Sequence, residues 1–457
     1  AERRGRWVTT RQRLDPLGGL VAVIPGPDDL FVPRGREGLY KLAPGGGRAR
    51  GVSVLGGALG VARERLWRPA ESPGGNVIEL LIDGEQFFPA LRRDLAAARS
   101  SIDLQTFIFS DDVTGRSVAR LLARKAREGV AVRVLVDALH GVLSAPLRAE
   151  LRAAGVELVV QHRWGESVAG SLRNIGHTLL DGVGALFGRR PPLRERRGLW
   201  NHDHRKIVIV DRRIGYCGGM NLGHEYEFLW HDAQARVRGP AVARLEALFS
   251  ERWRAAGGPT LVLPELPPGS EPGSLPGPAR VDVVETLPGV RHDIRRRYEQ
   301  AIASARRRIW IECAYVLDDR ILAGLRRRAR DGLDVALIVP DDEVHDVPVV
   351  RDAFRYIQNE VVRSGVRLHK YGGRMVHAKV AAFDERLATV GSSNLDRIAL
   401  DELAEANLFV EDDRFAGDLR RRVFLRDFRR ARRVGVERLG WWDRLKSGVL
   451  HFFRGLL

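Results

Sequence analysis

Two stretches of the chain carry one pattern. The first is HRKIVIVD at residues 204–211, followed after six residues by GGMN at 218–221. The second is HAKVAAFD at 377–384, followed after six residues by GSSN at 391–394. Both read His-x-Lys-x4-Asp-x6-Gly-[Gly/Ser]-x-Asn, and agreement at so many fixed positions indicates an internal duplication.

The segments around the two copies also repeat an order of secondary structure. Short apolar runs typical of strands alternate with amphipathic stretches typical of helices, which is characteristic of the α/β class. We predict two duplicated α/β/α halves that form one pseudo-twofold unit with a shared site. Asp111-Asp112 and Gly129 of the first half then correspond to Asp318-Asp319 and Gly332 of the second. The predicted strands are 77–82, 102–109, 130–136, 309–313 and 333–339, and the predicted helices are 87–99, 115–128, 301–307 and 320–330.

Composition shifts divide the chain into five expected parts. Glycine, proline and arginine dominate the first part, and proline and glycine dominate the linker between the halves. The last part has apolar side chains at helical spacing and basic ones largely opposite, which predicts an amphipathic helix. The parts are an N-terminal extension at 1–73, a first half at 74–256 with an insertion at about 164–200, a linker at 257–278, a second half at 279–438, and the C-terminal helix at 439–457.

The two motif copies carry the groups that phosphodiester chemistry requires. Side chains two apart on a strand share a face, so each His-x-Lys pair points one way. Two pairs that meet across the twofold axis form one pocket, in which one histidine attacks phosphorus and the other serves as acid and then base. The aspartates of the motifs are expected to brace the turn after the strand. The candidate catalytic residues are His204, Lys206, Asp211, His377, Lys379 and Asp384.

Four more residues complete the candidate site. Asn221 and Asn394, together with the two motif lysines, are expected to bind phosphate oxygens as negative charge develops on them. Asp232 and Glu405 each follow the histidine of their own half by 28 residues. We expect them to accept a hydrogen bond from a histidine Nδ1–H, so that Nε2 faces phosphorus.

The other histidines are interpreted as structural. His202, His231 and His345 lie outside the repeated positions, and a lone histidine is more often part of the packing than a ligand. A zinc site at His202 and His204 would lack a clear third ligand. We therefore predict neither a metal nor another cofactor.

Composition indicates the class of partner. The chain has 457 residues, with 75 Lys and Arg against 58 Asp and Glu, and a net charge of +17. Six of these basic residues are lysine, and two of the six lie in the motifs, which indicates that lysine is required there. The charge favours an anionic lipid surface or nucleic acid. Two cysteines exclude a disulfide framework, and no apolar run approaches the about 20 residues of a spanning helix.

The motifs resemble the phospholipase D superfamily, which is marked by two His-x-Lys-x4-Asp motifs. The resemblance covers about residues 75–440. It is strongest to the bacterial cardiolipin synthases, of the B-type branch without N-terminal spanning helices, in segments 75–85, 105–112, 201–221 and 391–396. The resemblance implies that His204 is the nucleophile and that His377 is the general acid and base.

The leading hypothesis is a phosphatidyltransferase that makes cardiolipin from phosphatidylglycerol and a second phospholipid through a phosphohistidine. A phospholipase D-type hydrolase and a phospholipase D-family nuclease stay open, whereas intact motifs argue against a non-catalytic scaffold. Aromatic clusters for base stacking are not evident near the motifs, and segment 439–457 is typical of an in-plane anchor. We therefore expect an anionic phospholipid membrane as partner rather than nucleic acid, and a peripheral location at the cytoplasmic face of a bacterial cell membrane.

Overall fold

The structure is a computed structural model in two units, Ala1–Glu71 and Ser72–Leu457. In the first unit, strands β1 (Leu30–Pro33), β2 (Leu39–Leu42) and β3 (Arg50–Gly51) form an antiparallel sheet. In the second unit, the structure describes residues 74–138, 143–161, 201–261, 277–438 and 440. The predicted insertion at 164–200, most of the predicted linker, and the predicted C-terminal helix apart from residue 440 lie outside the described residues.

The first half is built on a seven-stranded mixed sheet with the order β4-β10-β9-β8-β5-β6-β7. Strands β5, β6 and β7 run parallel, and β8 is antiparallel to β5. Its described elements are β4 (Val77–Ile82), α1 (Asp83–Ala97), β5 (Ser101–Thr106), α2 (Val113–Arg127), β6 (Ala131–Asp137), α3 (Ala145–Ala153), β7 (Glu157–Gln161), β8 (Ile207–Val210), β9 (Ile214–Gly218), a π-helical turn (Glu225–Leu229), β10 (Ala233–Arg238) and α4 (Ala241–Ala255).

The second half repeats this sheet with one short strand added at each edge, in the order β12-β11-β18-β17-β16-β13-β14-β15-β19. The order of its seven central strands matches that of the first sheet, which confirms the predicted duplication. Its described elements are β11 (Arg280–Leu287), β12 (Arg291–His292), α5 (Asp293–Ser304), β13 (Arg308–Cys313), α6 (Asp319–Arg330), β14 (Asp334–Pro340), α7 (Pro348–Arg363), β15 (Arg367–Tyr371), β16 (Lys379–Phe383), β17 (Leu387–Gly391), a π-helical turn (Ile398–Glu402), β18 (Glu405–Glu411), α8 (Asp413–Leu419), a π-helical turn (Arg420–Phe424), α9 (Leu425–Arg430) and β19 (Arg432–Arg433).

Each motif strand lies between two apolar cores, because successive side chains on a strand point to opposite faces. Ile207 and Ile209 of β8 face a central core that both halves share, whereas Val208 and Val210 face the core between the first sheet and helices α1–α3. The second sheet likewise packs its outer face on α5–α7. The two sheets therefore meet through the central core, and this contact brings the two motif copies together.

Several boundaries differ from the sequence prediction by a few residues: α1 begins at Asp83 instead of residue 87, and β5 ends at Thr106 instead of residue 109. One predicted correspondence and one further helix start also differ. Asp112 caps α2 by accepting from Gly115 N at 2.9 Å, and Asp318 caps α6 by accepting from Ile321 N at 3.0 Å. Asp112 therefore corresponds to Asp318, one residue from the predicted register, because α6 is three residues shorter than α2. Helix α5 begins at Asp293, eight residues before the predicted start. Its buried face extends further toward the N-terminus than the sequence suggests, because arginines interrupt the apolar pattern there.

None of the described helices is both long and apolar enough to cross a membrane.

Candidate active site

The two motif histidines are held by backbone hydrogen bonds that cross from one half to the other. His204 lies in an extended segment before β8, and its backbone N donates to Ala404 O at 2.9 Å. His377 lies in the matching segment before β16, and its backbone N donates to His231 O at 2.7 Å. Both side chains are nearly buried, with 8% of His204 and 5% of His377 exposed. The prediction that both pairs lie on strands is thus wrong for His204, Lys206 and His377, which precede the strands, whereas Lys379 is the first residue of β16.

Each histidine is oriented by a carboxylate from the opposite half. The Nδ1 of His204 lies 2.8 Å from Glu405 Oε1, and the Nδ1 of His377 lies 2.7 Å from Asp232 Oδ2. Both carboxylates are fully buried. A carboxylate on Nδ1 stabilises the tautomer in which Nδ1 carries the proton and Nε2 presents a lone pair. The pairing is therefore crossed, although sequence spacing relates each carboxylate to the histidine of its own half.

The motif lysines lie directly beside the histidines. Lys206 Nζ donates to the backbone oxygen of His204 at 2.6 Å, and Lys379 Nζ donates to that of His377. Burial lowers the pKa of Lys206 to about 7, and burial also lowers the pKa of Lys379. Two ammonium groups that share a buried site gain from the arrival of an anion, because its charge offsets both desolvation and their mutual repulsion.

The pKa values of the histidines also show that the two motifs share one site. Burial lowers the pKa of His204, and the charges of Lys206 and Lys379 lower it further. Burial and Lys379 lower the pKa of His377 well below its usual value, and Lys206 contributes from the other half. A lowered pKa favours the neutral imidazole, which is the form that a nucleophile or a general base requires.

The two asparagines are fixed next to this group. Asn221 Oδ1 accepts from Ile108 N at 3.0 Å, and among the described residues its buried Nδ2 has no hydrogen-bond partner. Asn394 is also buried, and its Oδ1 lies 3.9 Å from the Sγ of Cys313. With its oxygen engaged by the protein, the amide of Asn221 has donors left for a phosphate oxygen.

The hydrogen bonds of the two motif aspartates are those expected of residues that brace the turn, although both residues are also among the candidate catalytic residues. Asp211 accepts hydrogen bonds from the backbone N of three successive residues, 99–101, and Asp384 does the same with residues 306–308. Both have positive φ, +51° for Asp211 and +52° for Asp384. They fix the turn after the motif strand against the helix–strand loop beside it.

Three aromatic residues that sequence reasoning missed surround the histidines. The ring of Phe107 contacts His204 edge-on at 4.8 Å, and the rings of Tyr226 and Trp230 lie 5.3 Å and 5.2 Å from His377. The expectation that aromatic clusters near the motifs are absent was therefore wrong. These residues lie in strand-to-helix and π-turn segments far along the chain from the histidines, so spacing alone could not find them.

The second residue of the Gly-[Gly/Ser] pair differs between the halves: it is Gly219 in the first motif and Ser392 in the second. Ser392 Oγ donates to Glu405, whereas a Cβ at Gly219 would lie 2.2 Å from Asp232 Oδ1. The shorter aspartate thus requires glycine beside it, and the longer glutamate leaves room for serine.

We expect Gly219→Ala to lower the rate of phosphodiester cleavage by about 100-fold, because the new methyl group displaces the Asp232 carboxylate from His377. Ser392→Ala is the matched control, since it removes a hydroxyl group without a clash, and a loss of about tenfold is expected. Initial rates and thermal unfolding curves of both variants check this. Equal losses in the two variants would contradict the argument.

The histidines interpreted as structural each have a partner. His202 Nδ1 lies 2.9 Å from Asp137 Oδ1. His345 stacks on Tyr315 at 5.5 Å and accepts from Val347 N at 3.1 Å. His231 lies among several carboxylates and is treated below.

The comparisons with known proteins agree with this geometry. A family model described as "Cardiolipin synthase, PLD-like domain" matches residues 91–253 and 298–427, and so spans both halves. Cardiolipin synthase B of Salmonella typhi is 32% identical over an alignment of 402 residues that covers 83% of this chain and 88% of that protein. Cardiolipin synthase A of Pseudomonas entomophila is 33% identical over an alignment of 377 residues that covers 79% of this chain and 70% of that protein.

A solved structure shows the same fold. The phosphatidylserine synthase of Haemophilus influenzae is 14% identical and superposes with a TM-score of 0.57 over 83% of this chain and 93% of that one. With the matched family model and the relatives at 32–33% identity, the chain therefore belongs to the cardiolipin synthase family with a phospholipase D-like domain, a family of phospholipid phosphatidyltransferases.

Proposed function

We propose that this phosphatidyltransferase makes cardiolipin from phosphatidylglycerol and a second phospholipid, through a phosphohistidine on His204. The observation that carries the proposal is the pair of imidazoles, each with its Nδ1 against a buried carboxylate from the opposite half and each flanked by a lysine. This set provides a nucleophile, a proton carrier and two cations for one phosphodiester without further groups.

The first step forms the covalent intermediate. The phosphodiester anion binds between Lys206, Lys379 and the two asparagines, and its charge raises the pKa of nearby His377, which takes up a proton. His204 Nε2 then attacks phosphorus, and the bond from phosphorus to the headgroup oxygen breaks. His377 transfers its proton to this oxygen, so glycerol leaves as a neutral alcohol and the phosphatidyl group stays on His204.

The second step transfers the group. The hydroxyl group of a second phosphatidylglycerol loses its proton to His377, and its oxygen attacks phosphorus. The bond from phosphorus to His204 Nε2 breaks, which regenerates neutral His204 and releases cardiolipin. The net charge of +17 supports a second part of the proposal, that the enzyme works at the surface of an anionic membrane as a peripheral protein.

Product analysis tests the proposal. Purified protein is incubated with phosphatidylglycerol vesicles, with and without a chelator, and the lipids are identified by mass. We expect cardiolipin and glycerol in equal amounts, unchanged by the chelator and absent with His204→Ala. Phosphatidic acid alone would show that water is the acceptor, and DNA cleavage without lipid turnover would place the chain among nucleases; either result would overturn the proposed reaction.

A further inference from the structure

A buried cluster of charged residues lies directly behind His377. At its centre is His231, which is 1% exposed. The Nδ1 of His231 lies 2.6 Å from Asp83 Oδ1, and its Nε2 lies 3.0 Å from Glu312 Oε1 and 3.1 Å from Asp427 Oδ2. Both ring nitrogens therefore face carboxylate oxygens, which is the arrangement of an imidazolium that donates on both sides.

The charges around His231 favour an imidazolium. Three carboxylates are present, and two guanidinium groups accompany them: Arg374 lies 3.2 Å from Asp83, and Arg426 lies 3.0 Å from Asp427. A protonated His231 supplies a further positive charge, which opposes the rise in the pKa of Glu312 to about 7 that burial causes. The carboxylates raise its pKa well above the usual value, although burial alone would lower it. The groups that face the ring are Asp83, Glu312, Tyr371, Arg426 and Asp427, with Arg374 behind Asp83.

Hydrogen bonds connect this cluster to the catalytic pair. His231 O accepts from His377 N at 2.7 Å, and the next residue is Asp232, which orients the His377 ring. Asp83 accepts from the backbone N of Asp232 at 3.2 Å and donates its own N to Asp232 O at 2.8 Å. Asp83 does this with a φ of +59°, a strained conformation for a residue other than glycine. The cluster thus fixes the segment that carries Asp232.

The other side of the pseudo-twofold axis has no counterpart of His231. The residue that receives the backbone hydrogen bond of His204 is Ala404, next to Glu405. Alanine has no charge, so the His204–Glu405 pair lacks the imidazolium that stands behind the His377–Asp232 pair. The duplication is therefore broken at this position, next to the two groups that need different roles.

We propose that His231 is a positioning residue of the active site, whose imidazolium, held between Asp83 and the Glu312–Asp427 pair, fixes Asp232 against His377 and keeps the Asp232 carboxylate ionised. Burial raises the pKa of Asp232 to about 7, and the charges of Lys379 and His231 oppose that rise. The inference rests on the proposed function in one respect, that His377 acts as acid and base. The cluster is then what distinguishes His377 from His204.

The test uses opposite charge changes at the cluster. His231→Gln removes a positive charge, so the His377–Asp232 pair holds its extra proton to a higher pH. Asp427→Asn removes a negative charge, so the pair loses that proton at a lower pH. We expect the acid limb of the rate to move up by about one pH unit in the first variant and down in the second. His231→Gln is also expected to lower the rate by about 10- to 100-fold.

The measured quantity is the rate of nitrophenol release from phosphatidyl-p-nitrophenol. Formation of the covalent intermediate gives an initial burst, and the steady rate after this burst is the one compared. The nitrophenol leaving group needs no acid, so the steady rate reports the second step, in which His377 is the base. His369→Gln is the matched control, because among the described residues neither nitrogen of this buried histidine makes a hydrogen bond. Its pH profile is expected to match that of the parent protein. The assay accepts water or alcohol as acceptor, so it stays informative even if cardiolipin is not the product.

Three results would overturn the inference. The first is a shift of the acid limb in the same direction in both variants. The second is no shift of the acid limb beyond that seen in His369→Gln. A merely structural role of His231 would give one of these two results. The third is one equivalent of divalent metal in the purified protein that Asp427→Asn removes, because His231, Glu312 and Asp427 are close enough to share an ion. If His231→Gln does not fold, as judged by circular dichroism, the direction of the shift in Asp427→Asn decides alone.

Discussion

Replacement of His204 by alanine is expected to lower kcat for phosphatidyl transfer by at least about 10⁴-fold. The reason is that in the proposed mechanism its Nε2, held in position by Glu405, forms the bond to phosphorus. Lys206 and Lys379 remain in this variant, so phosphodiester binding persists while chemistry is lost. Headgroup release from labelled phosphatidylglycerol vesicles measures the effect.

Covalent labelling assigns the nucleophile. The protein is mixed with phosphatidyl-p-nitrophenol whose phosphorus is radiolabelled, because this leaving group needs no acid. The reaction is quenched in alkali, where phosphohistidine survives, and the protein is examined for label. We expect label in the parent protein and in His377→Ala, and none in His204→Ala; His369→Gln controls for the loss of a buried histidine. Label that persists in His204→Ala and disappears in His377→Ala would reverse the assigned roles.

The second large effect follows from the crossed pairing. Glu405→Gln is expected to slow the nitrophenol burst from phosphatidyl-p-nitrophenol by about 10²- to 10⁴-fold, because the amide no longer holds His204 in the tautomer that attacks. Asp232→Asn is expected to leave that burst within about tenfold of the parent rate. It acts on His377, whose proton this leaving group does not require.

Rapid mixing with optical detection measures the burst in both variants. Natural phosphatidylglycerol provides the comparison, since its alkoxide leaving group requires the acid and both variants should then be slow. A burst lost in Asp232→Asn and retained in Glu405→Gln would show that the carboxylates serve the roles opposite to those assigned here.

The repeated motif was enough to predict the duplication, the α/β class and the pairing of two His-x-Lys sets in one site. Side-chain periodicity and identical spacing in the two halves carry that information, and the matching strand orders confirm the duplication. The start of α5 was missed because arginines interrupt its apolar face, and the amphipathic pattern there is visible only once the buried side chains are known.

Other features depend on packing between the halves, which spacing does not encode. Asp232 and Glu405 each lie 28 residues after the histidine of their own half. The sequence therefore does not indicate that each carboxylate pairs with the histidine of the other half. The aromatic rings beside His377 and the cluster at His231 assemble from segments as distant as residues 83 and 427. Only the contact between the two sheets brings those segments together.

The crossed carboxylates also bear on how such a chain evolves. A single half contains a histidine and a carboxylate that cannot serve each other, so its complete catalytic pairs arise only with a second half. A fused duplication of a self-associating ancestor satisfies this requirement directly. Once fused, a damaging change at Asp232 or Glu405 disables the partner repeat instead of its own, so natural selection maintains both repeats together and neither is free to degenerate.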